Sequence, residues 1–314
     1  MPGAARARGP RRDTTAAVTA PAETLRALLA APGLVAMPCC FDAWSARLVE
    51  VAGFPLTFMS GFAVSAARAA LPDTGLLSYG EMLAQGREIC AAVSIPVIGD
   101  ADTGYGNPMN VKRTIHGYAR AGFACAMIED QRWPKRCGHV RGKQVVDRDE
   151  ALARVRAAVA ARDEGAGIAI LARTDARGPE GLDEALWRVA AFADAGADLV
   201  FLEAPESEDE MRRACRATRV PAMANLVEGG ATPLLPPARL AELGFKLAAY
   251  PLTLLSAATH AMQRALAALA RGEPGPELVP FAELRRLVGF DAYEAELARY
   301  GETGGPAARS TSRR

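Results

Sequence analysis

Short apolar, β-branched runs alternate along this chain with longer stretches whose apolar residues recur at helical period. The runs Leu34–Pro38, Leu56–Ser60, Val97–Asp100, Cys125–Glu129, Ala169–Arg173, Leu199–Glu203, Ala222–Asn225 and Leu247–Tyr250 predict strands. Between them DAWSARLVEVAG, YGEMLAQGREICAAV, DRDEALARVRAAVAAR and GLDEALWRVAAFADAG predict helices, and Gly53, Gly122, Gly196 and Gly244 stand where helices end ahead of a strand. Such alternation implies right-handed βαβ units and a parallel sheet. Eight units favour an α/β fold of (β/α)₈ (TIM) barrel type over an open doubly wound sheet.

The pattern sets the expected organisation. Residues 1–22 form a tail, residues 23–272 the barrel, and residues 273–314 a helical extension and final tail. Pro-Gly-Pro at 274–276 breaks a long helix, short helical patterns follow around Phe281–Val288 and Ala292–Tyr300, and the last dozen residues have a disordered composition. The Arg-rich start has no apolar run behind it, so a secretory signal is not expected; a tail and a transit peptide are the two readings.

Composition narrows the partners. The chain has 314 residues, half of them hydrophobic, enough for one large core, and its net charge is +1, so neither nucleic acid nor an anionic membrane is expected. No apolar run reaches the roughly 18–20 residues that span a bilayer. The six cysteines form no CxxC pair and point to a reducing, cytoplasmic compartment. Cys90, Cys125 and Cys215 fall in apolar patterns, whereas Cys137 sits among Lys135, Arg136, Gly138 and His139.

Barrel active sites gather at the C-terminal ends of the strands. Those ends carry Ser60, Asp100 with Asp102, Glu129 with Asp130, Arg173, Glu203 and Asn225. Any one alone could be a helix cap; six converging ends point to a site. In GDADTGYG, Asp100 and Asp102 with Glu129 from the next strand predict an all-oxygen site suited to Mg²⁺, with Mn²⁺ as an alternative. Turn chemistry competes with that reading. Asp73 in LPDTG could add a further carboxylate. The segment QRWPKRCGHVRGKQ predicts a lid, and the cationic neighbours of Cys137 suit a proton donor. A lone CGH is poor for zinc, and GxGxxG and P-loop patterns are absent. Gly61, after Ser60, offers backbone N–H groups at a helix start for a carboxylate.

Together the motifs SG at 60–61, GDADTGYG, IEDQ…PKRCGH, ARTDAR, ANLVEGG and YPLTL resemble the isocitrate lyase/phosphoenolpyruvate mutase superfamily, from about Leu25 to Gly272. The resemblance implies a barrel that exchanges its C-terminal helix between subunits in a homodimer or homotetramer. It implies that Asp100 touches Mg²⁺, with Asp73, Asp102 and Glu129 holding its waters. Ser60, Gly61 and Phe62 would bind the substrate with Gly138 and His139 of the lid, Arg173 would face its oxyanion side, and Glu203 and Asn225 would line the pocket.

The KRCGH lid is similar to that of the lyases, in which the Cys protonates a departing carbanion, and this makes Cys137, Arg173 and Glu129 the expected catalytic residues. Two departures separate the chain from methylisocitrate lyase: Phe58 replaces a Tyr, and Ser256 replaces an Arg that would hold a third carboxylate. An unpaired carboxylate in a closed pocket is costly. The expected reaction is therefore Mg²⁺-dependent carbon–carbon cleavage of a small substituted 2-hydroxy dicarboxylate, of 2-methylmalate or 2,3-dimethylmalate type, to a 2-oxo acid such as pyruvate and a carboxylic acid. Carboxyphosphonoenolpyruvate phosphonomutase, oxaloacetate decarboxylase, methylisocitrate lyase and a non-catalytic metabolite-binding barrel are the alternatives.

Overall fold

The computed structural model describes residues 20–137 and 142–301. Eight parallel strands close into a barrel in chain order: β1 (Val35–Cys40), β2 (Thr57–Met59), β3 (Val97–Asp100), β4 (Cys125–Glu129), β5 (Ala169–Thr174), β6 (Leu199–Leu202), β7 (Ala222–Asn225) and β8 (Leu247–Tyr250). Val35 stands opposite Leu247, which closes the ring. Helix α1 (Pro21–Ala30) begins ahead of the expected 22/23 boundary and buries Leu25 among the axial side chains.

The helices between strands are α2 (Ala43–Val51), α3 (Gly61–Ala69), α4 (Tyr79–Ala92), α5 (Pro108–Ala121), α6 (Arg148–Ala161), α7 (Leu182–Asp194), α8 (Glu208–Arg216) and α9 (Pro237–Leu243). Asp42, Ser60, Ser78, Asn107, Asp147 and Ser207 accept backbone N–H bonds at the starts of their helices, which satisfies otherwise orphaned donors. Gly53, Gly122, Gly196 and Gly244 all take positive φ where helices end, the conformation that glycine adopts without a Cβ penalty.

Strand side chains alternate, and the alternation separates two cores. Met37, Cys39, Phe58, Ile98, Cys125, Met127, Ala169, Leu171, Leu199, Phe201, Met223, Leu247 and Ala249 pack along the axis. Their neighbours of opposite parity, such as Ala126, Ile128, Ala172, Val200 and Ala224, pack beneath the helices. Two glycines admit one aromatic pair at this outer layer. Tyr118 and Phe123 stack with ring centroids 4.7 Å apart. A Cβ on Gly99 of β3 would meet Phe123 at 2.6 Å and Tyr118 at 2.8 Å, and one on Gly86 of α4 would meet Phe123 at 2.2 Å.

The compact units divide after Ser256, ahead of the expected 272/273 boundary and inside α10 (Thr253–Arg271). The second unit carries the rest of α10, then α11 (Phe281–Val288) and α12 (Phe290–Arg299), joined through Gly289 at φ +100°. Neither α11 nor α12 has a buried residue; Phe281 is 77% exposed and Tyr293 66%. No helix among the described residues is long and apolar enough to cross a membrane.

Gly86→Ala should lower stability by about 1–3 kcal/mol, because an overpacked core forces a buried ring to shift. Calorimetry should record a lower Tm; an unchanged Tm would mean that the α4–Phe123 contact is not close-packed.

Candidate active site

Strand parity carries straight into the site. Two positions beyond the axial side chains Phe58, Ile98, Met127, Leu171, Phe201 and Met223 stand Ser60, Asp100, Glu129, Arg173, Glu203 and Asn225. The residues that follow the apolar stack at the same parity are therefore the polar ones. Asp130 has the opposite parity and turns outward. Its carboxylate accepts from Thr174 Oγ1 at 2.6 Å, Asp175 N at 2.9 Å and Arg188 Nη1 at 3.0 Å, so pairing it with Glu129 as a strand-end site residue is corrected.

A cavity of about 550 Å³ opens above the axial core. Ser60, Gly61, Phe62, Asp73, Asp100, Cys137, Arg173, Glu203 and Asn225 all line it, beside Phe58, Val227, Pro251 and Leu252. Asp102 and Glu129 are buried behind this lining; Asp102 borders a smaller cavity of about 220 Å³ with Gly61, Asp73 and Lys135. Gly138 and His139 lie outside the described residues. Ser256 is exposed and does not line the cavity.

The end of β3 is pinned tightly. Tyr118 Oη donates to Asp100 O at 2.7 Å, and Asp102 N donates to Asp100 Oδ1 at 3.0 Å. Asp102 takes φ +49°, a left-handed conformation that Asp tolerates better than most residues. Gly61 packs directly on the other Asp100 oxygen, where a Cβ would lie 2.5 Å from Oδ2. A larger residue here would have to displace that carboxylate.

Lys135, which the sequence reading left out of the site, is buried among the carboxylates. Its Nζ lies 2.5 Å from Asp73 Oδ1 and 2.8 Å from Asp102 Oδ1. Both are close ion pairs. Burial lowers the lysine pKa, but Asp102, Asp100 and Asp73 outweigh it and hold the ammonium well above its ordinary value. The PKRCGH motif contains this residue, but nothing in its spelling says that the ammonium turns inward.

Negative charge still exceeds positive here. Burial and the charge of Asp102 push the Asp100 carboxyl up to about 6, with Lys135 opposing. Burial likewise pushes Glu129 well above the carboxylate range, although Arg173 lies 3.4 Å away, and Glu129 Oε1 accepts no hydrogen bond. Among the described residues no three His, Cys, Asp or Glu side chains converge on one metal point. A hard cation that binds through one or two carboxylates and keeps several waters does not need three. Crowded, buried carboxylates, with Glu129 Oε1 accepting no hydrogen bond, fit such a cation.

Arg173 is the one cation among the described residues that line the main cavity. Nε donates to Asp175 Oδ2 at 2.8 Å, Nη2 lies 3.1 Å from Glu203 Oε2, and the guanidinium carbon sits 5.3 Å from the Phe201 ring centroid. Glu203 also accepts from Ala204 N at 2.9 Å and from Asn225 Nδ2 at 3.3 Å.

A closed parallel barrel whose strand ends gather carboxylates, a guanidinium and a thiol around one cavity defines a TIM-barrel enzyme. The sequence model of the phosphoenolpyruvate phosphomutase family matches residues 25–270, and the chain belongs to that family, within the PEP mutase/isocitrate lyase superfamily.

The chain is 40% identical to 2,3-dimethylmalate lyase of Eubacterium barkeri, over 86% of this chain and 94% of that enzyme. It is 41% identical to the chloroplastic carboxyvinyl-carboxyphosphonate phosphorylmutase of Arabidopsis thaliana, over 87% of this chain and 83% of the relative. Identity to probable 2-methylisocitrate lyase 2 of Corynebacterium glutamicum is 44%, over 79% and 80%. Among solved structures, oxaloacetate acetylhydrolase with 3,3-difluorooxalacetate superposes with TM-score 0.87 at 33% identity, covering 91% of this chain and 99% of that one. A 2,3-dimethylmalate lyase superposes with TM-score 0.86 at 38% identity, covering 92% and 99%. Phosphonopyruvate hydrolase in complex with oxalate and Mg²⁺ gives 0.80 at 31%, covering 90% and 100%.

Gly61→Ala should displace the Asp100 carboxylate. Mg²⁺ affinity measured by calorimetry should fall roughly 10–100-fold, the usual loss when a group that orients a metal ligand changes. Wild-type affinity in this variant would argue against Asp100 as a metal ligand.

Proposed function

We propose that this enzyme cleaves a carbon–carbon bond in a small alkyl-substituted 2-hydroxy dicarboxylate, of 2-methylmalate or 2,3-dimethylmalate type, giving pyruvate or a related 2-oxo acid and a carboxylic acid. The observation that carries this reading is the division of the cavity. Of its charged lining residues, Asp100, Arg173 and Glu203 stand at the ends of β3, β5 and β6 and Asp73 in the segment before α4, while Phe58, Val227, Ala249, Pro251 and Leu252 belong to β2, β8 and the segments after β7 and β8. In a closed barrel these are opposite halves. The first suits carboxylates; the second suits alkyl groups and offers a third carboxylate no cation among the described lining residues.

Asp100 would hold Mg²⁺, with Asp73, Asp102 and Glu129 around its waters; when bound, the ion supplies the charge that acidifies the 2-hydroxyl. Backbone N–H groups at Gly61 and Phe62, at the start of α3, and the Ser60 hydroxyl bind a substrate carboxylate. Glu129, its pKa raised by burial, takes the hydroxyl proton through water. The oxygen lone pair forms the new carbonyl while the carbon–carbon bonding pair departs with the other fragment. Arg173 faces the negative charge that develops on that fragment's carboxylate. Cys137, which lines the cavity, gives its thiol proton to the departing carbon. Gly138 and His139 complete the substrate contacts in this reading.

Identity to the carboxyphosphonate phosphorylmutase keeps phosphonomutase chemistry as the second reading. It requires room for a phosphoryl dianion beside Arg173 alone. The exposed apolar side chains of α11 and α12 support a homodimer or homotetramer that exchanges C-terminal helices. Cysteines outside any disulfide suit a reducing cytoplasm.

A Mg²⁺-dependent pyruvate-release screen over citramalate, 2,3-dimethylmalate, methylisocitrate and oxaloacetate should single out one of the first two. Preference for methylisocitrate would overturn the alkyl reading, and phosphorus NMR showing a new carbon–phosphorus bond would establish the mutase. Cys137→Ser should keep Mg²⁺ affinity yet lose about 10²–10⁴-fold in kcat. Near-normal turnover would remove Cys137 as proton donor.

A further inference from the structure

The motif ARTDAR carries a second charged residue two positions beyond Arg173, and the roles set out above leave it unused. Asp175 is fully buried and does not line the cavity. It grips Arg173 side-on: Nε donates to Oδ2 at 2.8 Å and Nη2 to Oδ1 at 3.0 Å. Such a fork fixes the plane of a guanidinium. The hydrogen bonds of Arg173 to described residues use Nε and Nη2, and the residue lines the cavity.

Asp175 is itself fixed from two sides. Its backbone N–H donates to Asp130 Oδ1 at 2.9 Å, and Lys143 Nζ donates to its Oδ1 at 2.8 Å. The Lys143 side chain is only 6% exposed. Asp130 is anchored in turn by Thr174 and by Arg188 on α7, so the chain of bonds runs from the outer helix layer to Arg173. Burial would push the Asp175 carboxyl up, but Arg173 and Lys143 outweigh it and hold it below its ordinary value.

Charge counting gives the arrangement a purpose. Arg173 faces three carboxylates, on Asp175 at 2.8 Å, Glu203 at 3.1 Å and Glu129 at 3.4 Å. A cation so surrounded attracts a further anion weakly unless part of that negative charge is cancelled. Lys143 cancels it at the carboxylate closest to Arg173. A buried ion pair gains a fold little over apolar packing, so stability alone does not call for this one.

We infer that Asp175 is a positioning residue that sets the Arg173 guanidinium for the anionic part of the substrate, and that Lys143 offsets the charge of Asp175 so that Arg173 keeps its attraction for anions. The inference uses the proposed lyase reading for the role of Arg173, but its test does not depend on turnover.

Oxalate binding in the presence of Mg²⁺ should be measured by calorimetry on the full chain, for wild type, Arg173→Gln, Asp175→Asn and the double variant. Asp175→Asn should weaken oxalate about tenfold or more, and should add little in the Arg173→Gln background, because it acts through that guanidinium. Losses that multiply in the double variant would overturn the positioning role. Lys143→Met should weaken oxalate severalfold and Lys143→Arg should restore it. Wild-type affinity in Lys143→Met would overturn the charge-offset role, and that variant keeps the test alive if Asp175→Asn does not fold. Absence of oxalate binding by wild type would overturn the whole inference. A barren pyruvate screen alongside an intact coupling would sink the lyase reading alone.

Discussion

Barrel closure fixes everything above the core, because it decides which side chain of each strand faces the axis. Strands pair in register around the ring, from Cys39 opposite Phe58 to Val35 opposite Leu247. Side chains alternate across a strand, so a slip of one residue would exchange Asp100 for Gly99 and Arg173 for Ala172 at the mouth. The apolar axial stack resists such a slip, since it would drive Ile98, Leu171 and Phe201 outward. The same hydrophobic pattern that makes the barrel thus aims the polar side chains at one point. Burial chiefly, with neighbouring carboxylates adding to it, raises the carboxyls of Asp100 and Glu129.

This explains what was legible in the sequence. Parallel strands buried on both faces give continuous apolar runs, so all eight strands stood out with bounds within a residue or two of those observed. Helix ends stood out through Gly122 and Gly244 because only a residue without Cβ takes that φ freely. Asp130 was grouped with Glu129 because adjacency in the chain hides opposite parity. Lys135 escaped because its partner Asp73 comes from the segment between α3 and α4, and Asp175 because its second cation, Lys143, comes from the segment before α6. Neither residue has a periodicity to betray its direction. Ser256 carried weight as a missing cation, yet the lack of a cation is better seen in the lining itself, where Val227, Pro251 and Leu252 occupy that side.

The division of the mouth into charged and apolar halves follows from the same parity. On β8 the position two beyond Ala249 is Pro251, and on β7 the position two beyond Asn225 is Val227. β8 continues its apolar pattern past the level where β3 to β6 turn polar, and β7 returns to it after Asn225. Specificity by such a wall is mainly exclusion: an alkyl group gains modestly from burial, whereas a carboxylate placed there loses its hydration without a partner.

Lys135 resolves an electrostatic difficulty in the proposed metal site. Four carboxylates, on Asp73, Asp100, Asp102 and Glu129, compete for whatever positive charge enters. If all four bound a small cation directly, they would demand a convergence that the described residues do not have. The ammonium instead takes Asp73 and Asp102 by close charge contacts, and Arg173 lies beside Glu129. Asp100 is left with no ion-pair partner of its own among the described residues, and it lines the cavity against Gly61. One direct carboxylate, with others at a water's distance, is the arrangement that magnesium prefers, because it gives up its waters reluctantly. In the proposed reading, Lys135 at Asp73 and Asp102, with Arg173 at Glu129, leaves Asp100 for the metal.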